Sequence, residues 1–197
     1  MFVQVVQGQV GDRELLARQM EAWRTDVKPG AVGYQGSTGG VTADGRAIVM
    51  ARFESQEAAQ ANSDRPEQGA WWSQTAEAFS GEVSFHDCAE VDLMAGGGSN
   101  DAGFVQVMQG RVTDQEAMRR LVAELEPDLR ASRPDVIGSV CAWHGDGGGF
   151  TQAIYFTSEA AAREGEEGMA DDESARSMME LIDGELTFFD LSDPYLD

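Results

Sequence analysis

Residues 2–8 read FVQVVQG and residues 104–110 read FVQVMQG, a match broken only at Val6 against Met108. A near-identical heptapeptide in two copies about a hundred positions apart, within a chain of 197 residues, makes two similar halves the first expectation for its architecture. The alternation of Phe, Val and Gln in each copy reads as a strand.

The similarity continues beyond the heptapeptide. QVGDRE and RVTDQE follow, each with an aspartate, Asp12 or Asp114, in position to cap a helix and a glutamate, Glu14 or Glu116, in its first turn, where a carboxylate suits the helix dipole. Leu16, Met20, Trp23 and Val27 then recur at helical spacing, as do Met118, Leu121, Leu125 and Leu129, so Trp23 reads as core. Proline signals in KPGAVGY and RPDVIGS end both helices. Glycine-bearing turns in TADGRA and HGDGGGF predict hairpins whose outgoing strands, AIVMARFES and QAIYFTS, align at Phe53 and Phe156. Ala-rich helical segments start at SQEAAQA and SEAAARE, and GEVSFHD (81–87) and GELTFFD (184–190) close the halves as strands.

The order β-α-β-β-α-β, twice, is the split βαβ of a ferredoxin-like unit: α+β, an antiparallel sheet with helices on one face. The repeats are expected at 1–94 and 104–197, joined by the glycine-rich tether 95–103, AGGGSNDAG. The first strand is apolar on both faces, because Phe2, Gln4 and Val6 alternate with Val3, Val5 and Gln7. Such a sheet needs cover on its helix-free face, and a second sheet supplies it. The expected architecture is therefore an intramolecular pseudo-dimer, two units packed sheet to sheet as an α+β barrel, with higher oligomers left open.

Composition narrows the partners. With 35 acidic against 14 basic residues the net charge is −21, which repels phosphate backbones and anionic lipid, so nucleic acid and membrane are not expected partners. No apolar run approaches the roughly 18 residues of a membrane span, and no secretory leader is evident, so the expected location is cytoplasmic. Cys88 and Cys141 lack the spacing of a metal or redox motif and read as small core residues. The acidic run EGEEGMADDE (164–173) lacks calcium-loop spacing and reads as a solvated helix face.

The succession of FVQVxQG, amphipathic helix, KPGAVGY or RPDVIGS, glycine turn, and ARFESQEAAQA or YFTSEAAARE resembles the antibiotic biosynthesis monooxygenase-like, dimeric α+β barrel superfamily, here as a fused tandem pair. The resemblance covers nearly the whole chain. It implies one of several activities, among them cofactor-independent quinone-forming monooxygenation and haem degradation. Haem-degrading members carry an iron-binding histidine on the second helix; neither helical segment has one here, so no metal and no cofactor are expected. The quinone-forming members hold a phenolic substrate among Trp, Asn and Tyr in an apolar pocket.

On that resemblance the candidate pocket residues are Gln4 and Gln7 on the first strand, Tyr34 on the hairpin, Arg52 on the third strand, Trp71 and Trp72 on the second helix, and His86 on the last strand. Arg52 could stabilise an enolate or phenolate by its charge. Gln106, Gln109, Trp143 and His144 are weaker candidates in the second half, where the two tryptophans are replaced by small and polar residues near Asp171 and Asp172 and Tyr155 stands for Arg52. Buried glutamines need partners: they could bond across the pseudo-twofold axis or to backbone, or line pockets. Two functions remain open, a cofactor-independent monooxygenase acting on a small aromatic or polyketide-like compound with one competent pocket, and a non-enzymatic small-ligand-binding or stress-associated barrel. A ring-sized cleft of roughly 300 Å³ under the second helix separates them.

Overall fold

The computed structural model describes residues 1–145, 147–169 and 173–197, and resolves into two compact units, one of residues 1–89 with 195–197 and one of residues 90–194. Each is α+β with a five-stranded antiparallel sheet, and there are six α-helices among the described residues. The ferredoxin-like order predicted from the sequence is present in both.

In the first unit β1 (Phe2–Gln9) leads to α1 (Arg13–Ala22), the hairpin β2 (Tyr34–Val41) and β3 (Arg46–Phe53), the helices α2 (Gln56–Ser63) and α3 (Pro66–Ala76), and β4 (Ser84–Cys88). The second unit holds β5 (Glu90–Met94), β6 (Phe104–Arg111), α4 (Gln115–Ser132), β7 (Val136–Trp143), β8 (Gly149–Phe156), α5 (Glu159–Met169), α6 (Glu173–Glu180) and β9 (Thr187–Leu191). The last strand, β10 (Tyr195–Leu196), returns to the first unit. Sheet orders are β10-β2-β3-β1-β4 and β5-β7-β8-β6-β9, so β5 and β10 occupy equivalent edges. These fifth strands are additional to the four per unit that the sequence predicts.

The local signals act as their chemistry requires. Asp12 accepts from the backbone N–H of Leu15 and Asp114 from that of Ala117, each at 2.9 Å, which satisfies a helix N-terminal donor. Ser55 caps α2 in the same way. Pro66 confines Arg65 to extended backbone, so the single second helix expected from the sequence is broken here into α2 and α3. After Ala22, α1 widens into a π turn over Trp23–Val27, which leaves Trp23 and Val27 both buried.

Pairing register sorts the side chains. Gln4 pairs with Ala51 and Asp87, and Val5 with Met50 and His86, so Gln4, Ala51, Phe53 and Phe85 share the helix-covered face. Val3, Val5, Ile48 and Met50, on the opposite face, are all but inaccessible. A bulge at Gln35 alters the alternation of β2: Tyr34 pairs with Phe53, Gly36 with Arg52 and Ser37 with Ala51. The extra residue brings Tyr34 and Ser37 to the helix-covered face together. The second unit repeats the bulge between Val136 and Gly138.

Residues 95–103 open with positive φ at Ala95, Gly96 and Gly97, where a bond from Gly97 N–H to Met94 O closes a turn. Loop-closure entropy grows only logarithmically, so inserting a few Gly and Ser residues after Gly98 is expected to change the unfolding free energy by less than about 1 kcal/mol. Denaturant titration checks this. Loss of cooperative folding would contradict it.

Candidate functional site

Between the helix-covered face of the first sheet and helices α1, α2 and α3 lies a cavity of about 260 Å³. This is just under the roughly 300 Å³ at which ligand pockets usually begin, and suits one or two fused rings. Its walls are mostly aromatic. Trp23 and Tyr34 meet edge to face at 4.9 Å between ring centroids, Tyr34 and Phe53 at 5.6 Å, and Trp72 and Phe85 at 5.3 Å. Phe85 is 47% exposed, which places it at the mouth.

Both adjacent tryptophans line the cavity. The sequence predicts at most one fully facing the sheet, because neighbours on a helix diverge by about 100°. The cavity wraps around α3, however, and each ring finds a wall. The Trp71 indole N–H donates to Gln19 O at 2.7 Å on the α1 side, while Trp72 packs toward Phe79 and Phe85.

Of the candidates named from the sequence, the cavity gathers Gln4, Tyr34, Trp71 and Trp72. Arg52, Gln7 and His86 are absent from its lining, because strand alternation turns them to the other face with Val3 and Val5. Arg52 donates to Thr38 Oγ1 at 2.8 Å and to Asp197 O at 3.2 Å. Its guanidinium therefore does not face an occupant of this cavity.

Three of the four glutamines find side-chain partners that the sequence reading did not anticipate, whereas Gln7 Oε1 is buried with no hydrogen-bond partner among the described residues. Gln4 Nε2 donates to Asp87 Oδ1 at 2.9 Å, and Gln106 Nε2 donates to Asp190 Oδ1 at 3.0 Å, each to the carboxylate directly opposite on the last strand of its half. Gln109 donates to Thr151 Oγ1, which also lies 2.9 Å from His144 Nε2.

Five polar residues of the cavity were missed in the sequence: Ser37, Asn62, Ser63, Gln68 and Thr75. Asn62 is only 5% exposed, and an amide amid the alanines of a short amphipathic helix was the available signal. Arg65 donates to Asn62 Oδ1 at 2.9 Å, and the Trp23 indole donates to Gln68 Oε1 at 3.1 Å. Tyr34 donates its hydroxyl to Asp197 Oδ2 at 3.2 Å, and Lys28 pairs with the same carboxylate.

Burial holds the Tyr34 phenol well above its ordinary pKa, and the negative charge of Asp197 adds to this, against a hydrogen bond from Ser37. Neutral Tyr34 therefore contributes stability that is complete below the unfolded value near 10 and lost as pH rises toward the folded value. Tyr34→Phe is expected to flatten the fall in stability above about pH 10. Denaturation at graded alkaline pH checks it, and an unchanged fall would contradict the assignment.

The second unit uses the equivalent space differently: a cavity of about 270 Å³ lies among α4, α5 and α6, lined by residues such as Leu129, Arg133, Ser174, Ala175 and Met178 and, among the described residues, by no aromatic side chain. Arg163 donates to Asp190 and Glu166, and Gln106 donates to both carboxylates, so an ion-pair network covers this part of the sheet. The Arg163 guanidinium also lies 5.2 Å from the Phe104 ring centroid. Counting back from β9, Ser174 and Ala175 stand where the first unit has Trp71 and Trp72; Asp171 and Asp172, near which the sequence reading put the replacements, lie outside the described residues. Trp143 is 5% exposed, donates to Asp92 Oδ2 at 2.6 Å, and lies under Arg119 at 5.3 Å. It is a core residue tied to β5.

Among the described residues no cluster of three or more His, Cys, Asp or Glu could hold a metal ion, and no helix is long and apolar enough to cross a membrane. The acidic run from Glu164 extends α5 up to Met169, and its later part, 170–172, lies outside the described residues.

No family model matches the sequence, and no curated protein does. Solved structures do resemble it. A putative monooxygenase from Lactobacillus acidophilus superposes with a TM-score of 0.72 at 12% identity, over 96% of this chain and 92% of the other. One from Fusobacterium nucleatum gives 0.74 at 8% identity, over 96% and 90%. An anthrone oxidase-like protein gives 0.67 at 11% identity, over 99% and 92%. Across nearly its full length, the chain has the fold of antibiotic biosynthesis monooxygenase-like proteins, as two ferredoxin-like units in tandem.

Proposed function

We propose that the first unit binds a small flat aromatic compound in the cavity beneath α3 and oxygenates it without a cofactor. The observation that carries this reading is the meeting of Trp71, Trp72, Tyr34 and Asn62 around one cavity, the residue types that quinone-forming monooxygenases are thought to place around the reacting ring. The three solved structures described above support it by fold. In the balanced reaction a ring methylene becomes a carbonyl. One atom of O₂ enters the product, the other leaves as water with the two methylene hydrogens, and the substrate supplies the electrons. Amide N–H donors such as those of Asn62 and Gln68 suit the developing oxyanion.

We also propose that the repeats, 1–94 and 104–197 about the tether 95–103, descend from one duplicated unit in which the first copy kept an aromatic lining and the second replaced it with small side chains and an ion-pair network. A cytoplasmic location belongs to the same proposal, in keeping with two cysteines that lack the number and spacing of a disulfide framework.

A non-enzymatic ligand-binding protein is the second reading, and one observation favours it: Tyr34 is the sole titratable side chain lining the cavity among the described residues, and its pKa is raised, so the lining offers no general base. Oxygen uptake with 1-tetralone and 2-tetralone, two-ring ketones that suit the cavity, as probes decides between them. Uptake with ¹⁸O appearing in the product, lost in Trp72→Ala, supports the enzyme. Saturable binding of either probe with no uptake above the uncatalysed rate supports the binder.

A further inference from the structure

We infer that the ligand of the first unit carries a cationic group, such as a protonated amine, on a short arm beside its aromatic ring, and that Asp87 receives this group at the rim of the cavity; this rests on the proposed ligand site. The internal repeat supplies the argument. Ala58 N–H donates to Ser55 Oγ and Ala161 N–H to Ser158 Oγ, each at 3.2 Å, so α2 and α5 start in the same register. Both then bury an alanine against two phenylalanines, Ala59 with Phe2 and Phe53, Ala162 with Phe104 and Phe156. The next position is Gln60 in one unit and Arg163 in the other, and three residues further on stand Ser63 and Glu166.

In the second unit a cation ties this helix to the edge strand. The Arg163 guanidinium donates to Asp190 at 2.5 Å and to Glu166 at 3.1 Å, and Gln106 donates to both carboxylates. The first unit keeps the sheet half of that arrangement, because Gln4 donates to Asp87 as Gln106 does to Asp190. It lacks the cation. Gln60 donates instead to Asp64, at the end of its own helix. Among the described residues of the first unit, no ion pair involves Asp87. The same glutamine and carboxylate that hold a guanidinium in one repeat are therefore offered to solvent in the other.

That carboxylate stands beside the opening of the cavity. Its partner Gln4 lines the cavity, and so do two exposed residues: Phe85, two positions before Asp87 on the same face of β4, and Ser63, at the position from which Glu166 reaches Gln106. A ring seated against Trp71, Trp72 and Tyr34 would bring a short basic arm out past Gln4 to Asp87, where it takes the part that Arg163 plays in the second unit. Asp87 is itself exposed, and exposed ion pairs are weak, so the arm adds a modest preference to the affinity of the ring. The net charge of −21 attracts cations to the whole surface, and the test has to separate that from the one carboxylate.

The test is isothermal titration of the full chain, near neutral pH and at low salt, with three probes that share a naphthalene ring: 1-naphthylmethylamine, a cation; 1-naphthylmethanol, its neutral counterpart; and 1-naphthoate, an anion. The amine is expected to bind about fivefold more tightly than the alcohol, with the naphthoate weakest, and its advantage should shrink in high salt. Asp87→Asn, which leaves an acceptor for Gln4, should bring amine and alcohol within about twofold of each other while the alcohol binds as before. Gln60→Arg gives the first unit the guanidinium of the second and should have the same effect, which provides a second reading should Asp87→Asn fail to fold. Glu14→Gln removes an exposed carboxylate on α1 and should leave the preference intact. Amine and alcohol binding alike in the parent, a preference that survives both Asp87→Asn and Gln60→Arg, or one that Glu14→Gln lowers as far as Asp87→Asn does, would overturn the inference and leave the ligand site standing. No binding by any probe would overturn both.

Discussion

Ala51→Phe is expected to lower the affinity for 1-naphthol by at least about fiftyfold while the protein stays folded. Ala51 lies on β3 opposite Gln4, on the cavity floor, and a phenyl group there would project into the space an aromatic ligand would occupy. Overpacking a filled core costs roughly 1–3 kcal/mol, but this ring enters an existing cavity, so the stability change should sit at or below the low end. Fluorescence titration and denaturant unfolding on the same preparation separate the two effects. Unchanged affinity in the folded variant would mean that the ligand binds elsewhere.

Trp143→Ala is expected to do the opposite. Its indole is buried among Val112, Met118 and Phe150 and bonded to Asp92, so truncation removes a large core side chain and leaves a carboxylate short of a donor. Destabilisation of about 3–5 kcal/mol follows, with the 1-naphthol affinity of the folded fraction changed by less than about twofold. A variant that folds as well as the parent but no longer binds would move the site to the second unit.

The repeat, the element order, the helix-capping aspartates and the proline stops were all legible in the sequence, because each is a local signal with one physical meaning. Trp23 as core was legible too, although its ring also forms a cavity wall. The fifth strands were not. EVDLM and YL are short edge segments, and nothing in their alternation says which sheet they will join. That choice depends on contacts distant in the chain, such as Asp197 meeting Ser37, Tyr34 and Lys28.

Within the site, strand parity was the signal that went unused. Gln4 and Gln7 differ by three positions and must face opposite ways, and Arg52 precedes Phe53 by one, so an ungapped strand could not turn them all to the same pocket. Parity alone could not have placed Ser37, because the bulge at Gln35 shifts the alternation of β2. Asn62 and Gln68 escaped notice for another reason. Their roles are set by Arg65 and Trp23, and no spacing rule links an amide to the partner that fixes its orientation.

The central claim is that the aromatic cavity of the first unit takes a ligand, whereas its counterpart in the second unit, a cavity among α4, α5 and α6 without an aromatic lining, does not. Isothermal titration of the full chain with 1-naphthol tests this most directly. One site per chain, abolished by Ala51→Phe and retained in Arg163→Met, is the predicted result; two equivalent sites, or one site that survives Ala51→Phe, would contradict it.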